Sequence, residues 1–317
     1  MFSYPDYLIL PVLACGTVAL DFIFGEPKRY HPLVGFGFLA SKLGAIFNGQ
    51  ARQKLANQRL VGACALALLI TPFVLLGYWL CNNAITSIAA NIYLLYFAIG
   101  HKSLHEHARA VTIALNNHDE AAAKTAASYM VSRDSAAIEA VPATVESVLE
   151  NGNDGVLVAL FWFFIAGGAG ALAFRLVNTM DAMWGYKTPR YYYFGWAAAR
   201  LDDMLDYIPA RLTAITYALL GHTRLALQCW QQQAPSWDSP NAGSVMAAGA
   251  GALGVKLGGV ARYQGEWHQR PTLGAGEPPN ADDIERALSL VRRGVYLWLI
   301  IALLIGLFLF LWADYHA

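Results

Sequence analysis

Leu60–Leu80 reads LVGACALALLITPFVLLGYWL, a run with no charged residue. A helix rises 1.5 Å per residue, so this run spans the roughly 30 Å hydrocarbon core of a bilayer. Arg59 bounds it on one side and Asn82–Asn83 on the other, so the reading is a transmembrane helix that ends in a tight polar turn. Working outward, Ala84–Gly100 is a second apolar run directly across that turn, and Tyr7–Phe24 is a third, carrying Asp21 near its end. Gly294–Trp312 is the last, preceded by Ala281–Arg293, which has the pattern of an amphipathic helix.

The composition agrees with these four spans. The chain is 56% hydrophobic and 14% charged, too little charge to cover a soluble globule of 317 residues. Its formal net charge is zero, which removes the basic excess that nucleic-acid binding calls for. The four cysteines form no CxxC; they read as small buried apolar residues, with neither a disulfide framework nor a zinc site. The N-terminal run has no preceding Lys or Arg and no clear cleavage site, so it reads as a retained span.

Between the spans the pattern changes. GEPKRYHPLVGFG, Gly25–Gly37, reads as a shaped loop because its Gly and Pro oppose a long helix. From His101 the spacing of Leu104, Ala108, Val111 and Leu115 predicts a helix, with Asp119 or Asn117 capping an Ala-rich one after it. His101, His105 and His107 read as solvated helix-face histidines, since HEH is not HExxH and no third ligand is evident. Ser135 is the expected cap of the helix carrying Glu139, Glu146 and Glu150; the last two share a face. Asn151, Asn153 and Asp154 then crowd against the apolar run Gly155–Val177, which GGAG interrupts. There a solvated helix end and a magnesium or substrate site are equally open readings. Ile208–Gly221 is too short for a regular span. SPNAGSVMAAGAGALGVKLGG, Ser239–Gly259, allows close backbone approach, either between helices or around a ligand, and Arg262–Asn280 reads as loop.

Asn178–Arg211 concentrates both signs of charge among aromatics: Asp181, Lys187, Arg190, Arg200, Asp202, Asp203, Asp206 and Arg211, with Trp184, Tyr186, Tyr191–Tyr193 and Trp196. Acids can hold a divalent metal and bases can hold phosphate; an interfacial loop with headgroup aromatics fits equally well.

Taken in order, these pieces resemble the CobD/CbiB family of cobalamin-biosynthesis membrane proteins over nearly the whole chain. The matching pieces are Asp21 with GEP and His31-Pro32; Arg133-Asp134-Ser135; VESVLENGNDGV with Leu160-Phe161-Trp162; NTMDAMWGYK; FGWAAARLDD; IPAR; and SPNAG through Tyr263-Gln264-Gly265 and Arg270-Pro271. The chain departs mildly where the family more often has GDP, AEN and an Asn before IPAR. The resemblance implies an adenosylcobinamide-phosphate synthase in the cell inner membrane. Such an enzyme joins adenosylcobyric acid to 1-amino-2-propanol O-phosphate with ATP and Mg2+, and association with other membrane enzymes of late cobalamin assembly is a further expectation. The implied fold is an all-α multi-pass domain over 1–317, with four transmembrane helices, re-entrant or buried apolar segments and a cytoplasmic helical catalytic layer.

On that resemblance, Asp181, Asp202, Asp203 and Asp154 are expected at magnesium. Lys187, Arg200 and Arg211 are expected at phosphate, and Glu150 at the metal or the amine. His31, Arg133, Asp134, Asn178, Tyr186, Asn241 and Gly243 are expected at substrate. A plain i, i+3 ion pair is the structural alternative for Arg200 and Asp203, and loop structuring is the alternative for His31. AmpE-type membrane sensors share a block resembling Leu205–His222, so a non-enzymatic modulator is a rival; a transporter would call for paired, interrupted halves that the chain lacks. Lys and Arg between Gly25 and Arg59 place that connection inside, with both termini outside. Gly155–Val177 is then expected not to cross, and GGAG lets it turn back.

Overall fold

The computed structural model describes residues 6–26, 31–48, 55–131, 133–134, 137–186, 188–263 and 265–316. The chain divides into two compact units: Met1–Gly100, Val158–Asp206 and Ala302–Ala317 form the first, and His101–Leu157 and Tyr207–Ile301 the second.

The first unit begins with α1 (Asp6–Phe24), α2 (Pro32–Asn48), α3 (Leu55–Asn82) and α4 (Ser87–Ala98). The expected loop at Gly25–Gly37 is thus half helix. Pro32 suits the first turn, where its missing N–H costs nothing, and the His31 Nδ1 accepts the Leu33 N–H at 3.2 Å as a cap. The expected span at Ala84–Gly100 is a 12-residue helix. At about 18 Å it is too short to cross a bilayer. Among the described residues four helical stretches are long and apolar enough to do so: Tyr7–Phe24, Asn57–Asn82, Ala140–Trp184 and Ala281–Tyr315. Large apolar side chains on them are exposed, among them Leu68, Leu75, Trp79, Leu304, Phe308 and Trp312, as lipid-facing surfaces require. Cys64 is exposed on α3, against the expectation of a buried thiol.

The third stretch is not one straight rod. α8 (Val158–Trp184) loses helical geometry at Ala166 (φ −137°, ψ 19°) and Gly167 (φ 64°, ψ −160°), at the first glycine of GGAG. Gly170 packs so closely on the Trp162 carbonyl that a Cβ there would overlap it. Residues eight apart stand about 12 Å apart in a straight helix, so the chain bends sharply here. Asn91 from α4 closes the break: its Oδ1 accepts the Gly168 N–H at 2.7 Å.

α9 (Trp196–Leu220) runs unbroken through the segment read as too short to cross, with Pro209 inside it. Pro209 has no N–H for the carbonyl of Leu205, and the indole Nε1 of Trp162 donates to that carbonyl at 3.0 Å. α12 (Ala281–Tyr315) fuses the amphipathic helix and the last span into one. A Cβ at its Gly306 would stand 2.5 Å from the carbonyl of Tyr7, the acceptor that Pro11 leaves without a donor in α1. The core of this unit gathers Phe36, Leu66, Leu94, Leu176, Trp184 and Phe194.

The second unit contains α5 (His101–Asn116) and α6 (Glu120–Ser128), where the Asp119 carboxylate caps α6 through the Ala122 N–H as the sequence predicts. His101 and His105 are buried, not solvated, and their rings meet edge to face at 4.9 Å. Burial, with His105 and Arg292 nearby, pushes the His101 pKa down to about 4 and keeps the ring neutral. α7 (Ala140–Gly152) follows, its N-cap Glu139 making no side-chain cap bond. The expected cap Ser135 lies outside the described residues. A π-helical turn, Asn153–Leu157, then occupies the NGNDGV motif. α10 (Thr223–Gln233), a 3-10 turn (Ala234–Ser236) and α11 (Pro240–Leu253) complete the helices. The small-residue stretch is therefore a buried helix packed against α7, α10 and a hairpin.

That hairpin, β1 (Lys256–Tyr263) antiparallel to β2 (Glu266–Gly274), replaces the expected loop and adds a two-stranded sheet to an otherwise helical fold. Gly258 and Gly259, at φ 85° and 80°, take up the register shift between its strands.

Candidate functional site

The expected site residues fall into two groups, one in each unit. In the first unit α8 carries Asn178 and Asp181, and α9 carries Arg200, Asp202 and Asp203. Helical neighbours point about 100° apart, and here Asp202 and Asp203 take different partners. Asp202 accepts from the Asn178 amide at 3.4 Å, while Asp203 faces Arg200 at 3.6 Å. The Arg200–Asp203 contact is the i, i+3 ion pair named as its structural alternative, with Arg200 64% exposed. Asp181 lies in the field of Asp203, and its carbonyl accepts the Gly185 N–H at 2.7 Å. Tyr186 is exposed. Lys187 lies outside the described residues. His31 stacks on Phe97 with ring centroids 5.8 Å apart while it caps α2, so its ring is committed to the loop.

Among the described residues no group of three or more His, Cys, Asp or Glu is arranged to hold a metal ion. The four acids expected at magnesium are therefore not one protein shell, and Asp154 belongs to the other unit. Magnesium often takes only one or two carboxylates and completes its octahedron with phosphate and water. The Asp181 and Asp203 carboxylates suit a site of that kind.

The second unit builds a buried charge cluster around Glu146, which is only 3% exposed. Arg133 donates to its Oε2, and Arg270 binds both oxygens, Nη1 to Oε2 at 2.7 Å and Nη2 to Oε1 at 3.2 Å. The Gly258 N–H adds a donor to Oε1 at 3.0 Å. Arg270 in turn holds the bulge, donating to the carbonyls of Gly258 and Gly259 at 3.2 and 3.3 Å. Its own pKa is raised: contact with Glu146 outweighs the opposing effect of burial. One turn along α7, Glu150 lies in the field of Asp154, Glu146, Arg133 and Arg270. Asn153, on the π turn, donates to Asp154 at 2.8 Å. The π turn puts an extra residue between Glu150 and the next apolar helix, a device common at functional sites.

Asp134 is committed to the hairpin. Its carboxylate accepts the Gly265 N–H at 2.8 Å and faces Arg262 at 3.4 Å.

Arg211 sits elsewhere in this unit, over the ring of Tyr207 at 3.7 Å. It donates to the Tyr207 and Pro240 carbonyls at 2.9 and 3.3 Å and to the side-chain oxygen of buried Asn241. Arg211 borders a pocket of about 420 Å³ lined also by Trp230, Gln231, Trp237, Asp238 and Ser244. Gly243 makes room for the pocket wall, since a Cβ there would press on Trp237 and the Ala234 carbonyl. Arg270 lies 5.4 Å from the Trp237 ring, so this one indole touches both the pocket and the Glu146 cluster.

Sequence reasoning thus brought Arg133 and Glu150, and Arg211 and Asn241, to real clusters. It missed Glu146 as a centre, though the Glu146/Glu150 spacing was visible, and it missed Arg270 because the hairpin read as loop. Trp230, Trp237 and Asp238 carried no signal beyond lying before SPNAG.

The CobD/Cbib protein family model matches residues 14–291. A Chromobacterium violaceum protein named cobalamin biosynthesis protein CobD is 51% identical over 308 residues, 94% of this chain and 97% of its own. Proteins of that name from Stutzerimonas stutzeri and Mycobacterium tuberculosis are 53% and 39% identical, covering 92% and 86% of this chain and 96% and 88% of theirs. No solved structure matches. A family match across most of the chain, with relatives of more than half identity along nearly their full length, leaves one conclusion: this chain belongs to the CobD/CbiB family.

Proposed function

We propose that the protein acts in cobalamin biosynthesis as an ATP-dependent amide ligase, joining a carboxylate of adenosylcobyric acid to the amine of (R)-1-amino-2-propanol O-phosphate at the cell inner membrane. The observation that carries this reading is the buried Arg133–Glu146–Arg270 cluster, with Glu150 in its field, in a chain of this family. A carboxylate is a poor acyl donor because its leaving group is oxide. Transfer of the γ-phosphoryl group of ATP to it gives ADP and an acyl phosphate. The free amine then attacks the acyl carbon, inorganic phosphate leaves, and the ammonium proton passes to a base.

Each demand of that sequence has a group assigned to it. Magnesium, when bound, neutralises phosphate charge, and Asp181 and Asp203 are the carboxylates assigned to it. Arg211 balances substrate phosphate, and Lys187 and Arg200 are assigned to the phosphates of the nucleotide. Glu150 is assigned the ammonium proton; its surroundings are set first by burial and by the neighbouring Asp154 and Glu146, with Arg133 and Arg270 opposing them. Incubating purified protein with adenosylcobyric acid, aminopropanol phosphate and MgATP yields the phosphorylated amide and ADP in equal amounts. ATP-independent product, or no amide at all, rejects the reading. The AmpE-like modulator gains no specific observation over it.

A further inference from the structure

The pocket at Arg211 contains charges of both signs. A site built for a plain anion has no use for a carboxylate in its lining, and a site built for a cation has none for a guanidinium. Arg211 and Asp238 both line this pocket, with Trp230 and Trp237. Arg211 is fixed before any ligand arrives, because its donors rest on the Tyr207 and Pro240 carbonyls and on Asn241. These are neutral oxygens, and among the described residues no carboxylate lies in an ion pair with Arg211. Asp238 is exposed in the bend between the 3-10 turn and α11. Indole faces attract ammonium groups. Trp237 already has the Arg270 guanidinium near its ring, and Trp230 is the second indole lining the pocket.

The geometry points to this pocket as the subsite for a small zwitterion that carries a phosphate at one end and an ammonium at the other. The phosphate lies on Arg211, and the ammonium on Asp238 and the face of Trp230. This assignment rests on the ligase reading and deepens it, since a phosphorylated amino alcohol is such a zwitterion. At about 420 Å³ the pocket is larger than that ligand, leaving room for the carboxyl end of one side arm of the partner and not for the partner as a whole. Trp237 borders both this subsite and Arg270 of the Glu146 cluster.

Direct binding tests this without turnover. Full-length protein in lipid nanodiscs is titrated by calorimetry with 1-amino-2-propanol O-phosphate, with propyl phosphate lacking the amine, and with ATP. The native chain prefers the zwitterion over propyl phosphate. Asp238→Asn lowers zwitterion affinity about tenfold or more, since a hydrogen bond to a charged group is lost, and leaves propyl phosphate unchanged. Arg211→Gln weakens both phosphates and leaves ATP unchanged. Because Arg211 also ties α9 to α11, the exposed Asp238→Asn variant decides the matter if Arg211→Gln fails to fold. An Asp238→Asn chain that keeps the full preference overturns the subsite, as does a loss confined to ATP, which would make the pocket a nucleotide site. Zwitterion binding without any amide formation rejects the ligase reading alone, and amide formation with undisturbed Asp238→Asn binding rejects the subsite alone.

Discussion

Glu146 shows at the residue scale how much one buried carboxylate can hold. Two guanidiniums and a backbone N–H converge on it, and through Arg270 it fixes the bulge of the hairpin. Removing one partner of a buried pair strands the other, at a cost of about 3–5 kcal/mol. Glu146→Gln therefore lowers the thermal midpoint markedly, while Glu139→Gln, an exposed change on the same helix, leaves it within experimental scatter. Equal melting of the two variants in the same detergent would show that the cluster holds nothing together. The sequence shows the Glu146/Glu150 spacing but not which of the two lies at the centre. That choice depends on Arg270, 124 residues away in sequence, and a single helix period carries no information about so distant a partner.

At the scale of elements, three of the prolines inside helices leave a carbonyl without its donor, and two of those carbonyls are met from elsewhere in the fold. Leu205 receives the Trp162 indole. Trp162→Phe strands that carbonyl at a cost of about 1–3 kcal/mol. Pro209→Ala restores the N–H that α9 itself lacks, so the loss caused by Trp162→Phe shrinks by about 1 kcal/mol in that background. A denaturation cycle in which the two changes simply add would rule out this exchange of donors.

Element types were legible where an unbroken apolar run or one period dominated, as in α3, α5 and α12. They were misread where small residues blurred the signal. Gly35 and Gly37 did not stop α2, because Pro32 and His31 start it well. The glycines at 258 and 259, read as loop, supply the bulge of a paired hairpin. The 12-residue α4 was overread as a span because Ile99 and Gly100 extend its apolar run beyond its last helical turn.

For the whole molecule, composition alone carried the class: a chain this poor in charge has to show apolar surface, and α1, α3 and α12 do so. The Lys and Arg of the connection before Leu60 favour the cytoplasmic face for that connection, and with α4 too short to cross they do not by themselves fix the side of Thr188. Because the proposed ligase draws on cytosolic ATP, a single cysteine at Thr188, with Cys15, Cys64, Cys81 and Cys229 replaced, is expected to resist a membrane-impermeant maleimide in intact cells and to react after lysis. Rapid labelling from outside would put the Asp181–Asp203 acids away from cytosolic ATP and reject their assignment to magnesium.

The close approach of Gly306 to Tyr7 joins the first helix of the chain to the last. During synthesis at about 5–20 residues per second, the interval between those two residues is roughly 15–60 s. For that time the emerging α1 has a carbonyl without its final neighbour and a flank without its final cover. The bilayer, or another protein, has to shelter it until the last helix leaves the ribosome. A chain truncated before Gly306 never completes that contact and leaves this flank of α1 uncovered.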